Sequence, residues 1–192
     1  MEEKRNFDLL TLGQVLLRLS PPNNDRLVRG DTFVKQVGGA ELNVAVGVAL
    51  LGLRTGVISK LPSHDMGSFM KGKIRSYGVS DDFFMYDDSP SARVGIYYYE
   101  NGAYPRKPKV IYDRANSSFY SLKIDEIPEK AYTASRCFHT SGITLALSPK
   151  VRETTIEMIK RFKAAGTLVS FDVNFRGNLW TGEEAKECIE QI

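Results

Sequence analysis

The chain is poor in cysteine, histidine and tryptophan, with two, two and one of each in 192 residues. Cys137 and Cys188 lie far apart and form no CxxC pair, which argues against a disulfide framework and for small buried apolar side chains inside the cell. With only His64 and His139, and neither an HExxH motif nor a Cys/His cluster, no metal site is expected. No apolar run approaches the ~20 residues that span a bilayer, and the opening MEEKRNFDLL lacks the apolar core of a secretory signal. A cytoplasmic protein without a membrane partner is expected. Net charge is +3 with no block of like charge, so nothing favours a nucleic-acid partner. A GxGxxG fingerprint is absent, which leaves a nicotinamide or flavin enzyme without support. The run GSFMKGKI at 67–74 fails as a P-loop, because Ile74 has no hydroxyl for magnesium and the segment reads as helix interior. No GxSxG elbow surrounds Ser141, and Ser141-Gly142 reads as a strand-to-loop turn.

What is present suits an ordinary soluble globular domain: 42% hydrophobic and 26% charged residues. Residues 7–12 read as a buried strand that Gly13 interrupts, and 15–19 continue it or begin another. A strand is expected at 32–37, another at 54–61 ended by Pro62, and then a helix capped by Asp65. Met66, Phe69, Met70, Ile74 and Tyr77 form its apolar face, and Gly78 closes it. RVGIYYYE at 93–100 and a short return strand at 110–113 read as a hairpin. This hairpin is expected to pair with the strands near 15–20 and 32–37 in a small separate sheet. Later, a strand at 136–140 precedes a helix with Ser148 as N-cap and Pro149 as first residue. TLVSFDV at 167–173 reads as a fully buried parallel strand, and Thr181 and Glu184 have capping-box spacing before a last helix. Alternating βα units imply a doubly wound, mostly parallel sheet.

The richest stretch is VGGAELNVAVGVALLGL at 37–53. It reads as a helix apolar on every side except Glu41 and Asn43, and such a helix is expected to be buried. Gly38 and Gly39 admit close approach of a ligand to the backbone, and the helix start offers free N–H groups to an oxygen-rich ligand. The same pair equally suits a tight turn into a packed helix. A second polar set is Tyr97, Tyr112, Arg114 and Arg176. Tyr97 and Tyr99 share one face of their strand, and Tyr112 and Arg114 share a face of theirs. Tyrosine beside arginine binds carboxylates and hydroxyls, though an ordinary solvated hairpin gives the same pattern. DVNFR at 172–176 follows a predicted strand, where the ligand crevice of an open α/β sheet lies. Capping by Asp172 or Asn174 is the plainer alternative.

Together a first strand ending at Gly13, a lid-like hairpin, GGAELNVA and DVNFRGNLW resemble the ribokinase-like (PfkB-type) carbohydrate kinases, and within them the 2-keto-3-deoxygluconate kinases. The resemblance implies an α/β fold, a ribokinase-like doubly wound sheet with a small β lid. The lid segments would lie near 14–37 and 93–114, and residues 1–192 would be the N-terminal part of one kinase domain. It implies that Gly38, Gly39 and Asn43 contact sugar hydroxyls, with Tyr97, Tyr112 and Arg114 on the lid side and Arg176 on the main domain. The two arginines would neutralise a substrate carboxylate. It implies ATP and Mg2+ as cofactors of a complete enzyme, a small sugar as substrate and a homodimer through the lid.

Two features depart from the family pattern. Gln14 stands where a glutamate is usual, which weakens any role needing charge there. The late Gly-Ala-Gly-Asp motif, which carries the catalytic base, does not occur. No catalytic residue is therefore expected in these residues, the C-terminal portion of the domain is expected to be missing, and the chain alone is expected to be inactive. A fructose-type or nucleoside kinase of the same family, or a non-catalytic sugar-binding or dimerisation module, are the other readings.

Overall fold

The computed structural model describes residues 5–192. The first four residues, part of the stretch lacking a secretory core, lie outside the described residues. Five parallel strands form the main sheet: β1 (Phe7–Leu12), β4 (Thr55–Pro62), β5 (Val79–Asp87), β8 (Ser135–Ser141) and β9 (Leu168–Asp172), in the order β5-β4-β1-β8-β9. A second sheet holds β2 (Leu16–Ser20), β3 (Val34–Gly38), β6 (Gly95–Glu100) and β7 (Lys109–Asp113), in the order β3-β2-β6-β7.

Helices cover both faces of the main sheet. On one face α1 (Ala40–Leu50) and α2 (Asp65–Ser76) pack Leu42, Ala45, Met70 and Ile74 against Val57 and Leu61 of β4. Val15, Leu17 and Val37 extend that core beneath the second sheet. On the other face α5 (Pro149–Ala164) lays Val151, Met158, Ile159 and Phe162 on Leu10, Leu12, Ile58 and Phe138. Phe138 and Phe162 stack with centroids 4.0 Å apart. Short helices α3 (Lys130–Thr133) and α4 (Gly142–Ala146) flank β8, and α6 (Gly182–Ile189) follows β9.

Local signals account for several boundaries. Ser148 accepts from the Val151 N–H at 3.3 Å and Pro149 fills the first turn of α5. Thr181 and Glu184 form a reciprocal capping box at α6. Both cysteines are free.

Four expectations are corrected. The helix expected to be buried on all sides is buried only at Glu41, Leu42 and Ala45, while Val44 and Leu50 are exposed. It lies on β1, β4, β5 and β8, and Asn43, Val44, Gly47 and Leu50 are exposed. The strand expected to be buried at 167–173 is an edge strand: it pairs only with β8, and Leu168 is 70% exposed. The N-cap of α2 is His64, whose Nδ1 accepts from the Met66 N–H at 3.2 Å, so Asp65 is the first helical residue. Finally, β5 was not anticipated. Asp81 and Asp82 break its apolar run, which an edge strand tolerates, and Asp81 there pairs with Lys71 of α2 at 3.3 Å.

Candidate functional site

At the carboxyl end of β1 the chain leaves the main sheet through Gly13 and Gln14 and enters β2. It returns through β3, whose Gly38 pairs with Leu16, and Gly39 then turns it into α1. This route sets the start of α1 between the carboxyl ends of β1 and β8 and the inner face of the second sheet. Gly39 has φ +156°, and a Cβ there would lie 2.7 Å from the Gln14 carbonyl oxygen. A Cβ on Gly38 would lie 2.6 Å from the Tyr97 hydroxyl. Of the two readings the sequence allowed, the structure shows the turn. The pair makes it and leaves room for a tyrosine from the facing sheet.

Between these elements lies a cleft of about 260 Å³. Gly39 and Asn43 of the α1 start line it, together with Tyr97, Tyr112 and Arg114 of the second sheet and Arg176 beyond β9. Six of the seven residues singled out from sequence thus meet around one space, and Gly38 stands directly behind the Tyr97 hydroxyl. Tyr97 and Tyr112 are register partners with ring centroids 5.9 Å apart. The Arg114 guanidinium carbon lies 5.5 Å from the Tyr112 ring centroid. Arg176 is exposed, and its Nη1 donates to the Phe175 carbonyl at 3.0 Å. Asp172 accepts from the Asn174 N–H at 3.0 Å and so closes a turn, and neither residue caps a helix.

Electrostatics set Arg114 apart. Burial pulls its guanidinium down from the ordinary arginine value. Its Nε donates to Gln14 Oε1 at 2.8 Å. No ion pair joins it to a carboxylate among the described residues. Burial also raises the Tyr97 phenol, so its hydroxyl stays protonated and can donate.

The sequence reading missed Gln14, Glu41 and Ile143 as cleft residues. Glu41 is 2% exposed, and its Oε1 accepts from Ser141 at 2.5 Å and Thr144 at 2.8 Å. A lone acid in an otherwise apolar helix was the available signal, since such a group must find partners indoors. Ser141 also caps α4 and has no histidine beside it: His139 bonds Ser170 at 3.0 Å and His64 caps α2. The P-loop-like run lies inside α2. Among the described residues no group of three or more His, Cys, Asp or Glu could hold a metal ion, and no helix is long and apolar enough to cross a membrane.

The chain is an α/β protein with a mostly parallel main sheet and a polar cleft lined in part by a small second sheet, consistent with the ribokinase-like fold. Residues 6–192 match the model of the pfkB family carbohydrate kinases, and the chain belongs to that family. It is 38% identical over 185 residues to the 2-dehydro-3-deoxygalactonokinase of Haloferax volcanii, covering 96% of this chain and 57% of that protein. The crystal structure of 2-dehydro-3-deoxygluconokinase from Thermotoga maritima superposes with TM-score 0.90 at 37% identity, over 96% of this chain and 56% of the other. An uncharacterized sugar kinase from Pyrococcus horikoshii in complex with ATP matches with TM-score 0.81 at 27% identity, over 95% and 59%. The chain therefore spans somewhat more than half the length of these relatives.

Proposed function

We propose that this chain supplies the sugar-binding part of an ATP-dependent kinase that phosphorylates a hydroxyl of an acidic keto sugar, 2-keto-3-deoxygluconate. The observation that carries this reading is Arg114, a largely buried guanidinium at the cleft wall that makes no ion pair among the described residues and has only the buried, hydrogen-bonded Glu41 carboxyl within Coulombic reach. A largely buried charge without an ion pair is costly, and a ligand carboxylate relieves that cost with paired hydrogen bonds. Arg176, exposed and lining the same cleft, adds a second positive charge. Asn43 and the Tyr97 and Tyr112 hydroxyls suit the sugar hydroxyls, and the Gly39 backbone lines the same cleft. The names of the relatives, kinases of 2-dehydro-3-deoxy sugar acids, support the same substrate class.

ATP with Mg2+ would supply the transferred phosphoryl group. Among the described residues no group of three or more His, Cys, Asp or Glu stands ready for the metal, and the P-loop-like run lies inside α2. The work of these residues is to bind, orient and shield the sugar as the second sheet closes over it. With no Gly-Ala-Gly-Asp in the sequence, the 192-residue chain by itself phosphorylates no sugar. In the complete protein two copies would pair through the second sheet, where Phe33, Val34, Val110 and Ile111 are exposed.

Isothermal titration of the chain with 2-keto-3-deoxygluconate tests the reading. Saturable binding that Arg114→Ala weakens at least about 30-fold, roughly 2 kcal/mol, is expected. Binding that Arg114→Ala leaves intact, or phosphorylation by the isolated chain, contradicts it.

A further inference from the structure

Gln14 is 4% exposed and fully engaged. Its Oε1 accepts from Arg114 Nε at 2.8 Å, and its Nε2 donates to Ser117 Oγ at 2.6 Å and to the Arg114 carbonyl at 3.2 Å. One amide thus holds Arg114 by side chain and main chain together, across 100 positions of sequence. Its orientation is forced. A flipped amide would set a donor against the Nε–H and an acceptor against the carbonyl. The holder is also uncharged, so it orients the guanidinium without compensating it.

We propose that Gln14 is a specificity-determining positioning residue: it fixes Arg114 at the cleft wall and, being neutral, reserves the arginine charge for an anionic group of the ligand. This rests on the acidic-sugar reading of the cleft. Gln14→Glu retains the shape and the hydrogen bond from Arg114 Nε, gives up the donation to the Arg114 carbonyl and introduces an internal carboxylate. That carboxylate compensates Arg114 and competes with the carboxylate of the ligand, while a neutral sugar is unaffected by the exchange. Gln14→Leu removes the holder and leaves the arginine charge uncompensated.

The test is titration calorimetry of the 192-residue chain and both variants with 2-keto-3-deoxygluconate and with fructose, at low and moderate salt. The wild-type chain is expected to prefer the acid by about tenfold or more, with affinity falling as salt rises. Gln14→Glu is expected to lower that preference about tenfold and to flatten the salt dependence. Gln14→Leu weakens acid binding but retains a preference for the acid. A wild-type preference that persists in Gln14→Glu overturns the role of Gln14 and leaves the acidic-sugar reading standing. A wild-type chain that binds both sugars equally overturns both. Should Gln14→Glu lack a cooperative melt, Gln14→Leu decides through the Arg114 Nε–H. Faster hydrogen exchange there supports the role, and unchanged exchange overturns it.

Discussion

The Glu41 carboxylate accepts a hydrogen bond from the Ser141 hydroxyl at 2.5 Å, joining the first turn of α1 to the carboxyl end of β8. Thr144 of α4 donates to the same oxygen. The glycine-led start of α1 is thereby tied to the carboxyl end of β8 and to α4. Glu41→Ala leaves two fully buried hydroxyls without their acceptor. Urea unfolding is expected to show a loss of about 1–3 kcal/mol. A variant as stable as the wild type contradicts the tie.

The same carboxyl group gives stability a pH dependence. Burial raises its pKa above the ordinary 4.5, only partly opposed by the hydrogen bonds from Ser141 and Thr144. The folded chain then keeps this proton after the unfolded chain has lost it. Stability from this group is full below the unfolded value of 4.5 and is lost as pH rises through the folded value. Other carboxylates titrate in the same range, so the comparison is with Glu41→Gln. The unfolding free energy of the wild type minus that of the variant is expected to fall as pH rises from acid toward neutrality. A difference that rises with pH contradicts the assignment.

Two glycines of one segment should behave in opposite ways. Gly39→Ala forces a positive φ on a residue with a Cβ and drives that Cβ toward the Gln14 carbonyl, 2.7 Å away. It is expected to cost about 2 kcal/mol or more. Gly47, inside α1, has nothing within 4 Å of a built Cβ. Gly47→Ala is expected to stabilise the chain by about 0.5–1 kcal/mol. Denaturant midpoints of the two variants check this.

Much of the fold was legible because its signals are local. Ser148 with Pro149, and Thr181 with Glu184, mark helix starts within four residues. Strand periodicity set Tyr97 and Tyr99 on one face, and hairpin register brought Tyr112 opposite Tyr97. What escaped the sequence depends on distant partners. Exposure of Val44 and Leu168 reflects what packs beside α1 and β9, which composition does not encode. The bonds from Glu41 to Ser141 and from Gln14 to Arg114 each span about a hundred residues. Gln14 shows the difference most clearly. In sequence it is a missing charge, whereas in the fold it is the neutral support of an arginine that makes no ion pair among the described residues.

The central claim, that Arg114 receives the carboxylate of an acidic sugar, is tested most directly by arginine side-chain NMR. The Arg114 Nε–H signal is assigned by its loss in Arg114→Ala and followed while 2-keto-3-deoxygluconate or fructose is added. A saturable shift with the acid, and little or none with fructose at the same concentration, is the expected result. A signal that stays still with the acid while the sugar binds, or that moves equally with fructose, contradicts the account.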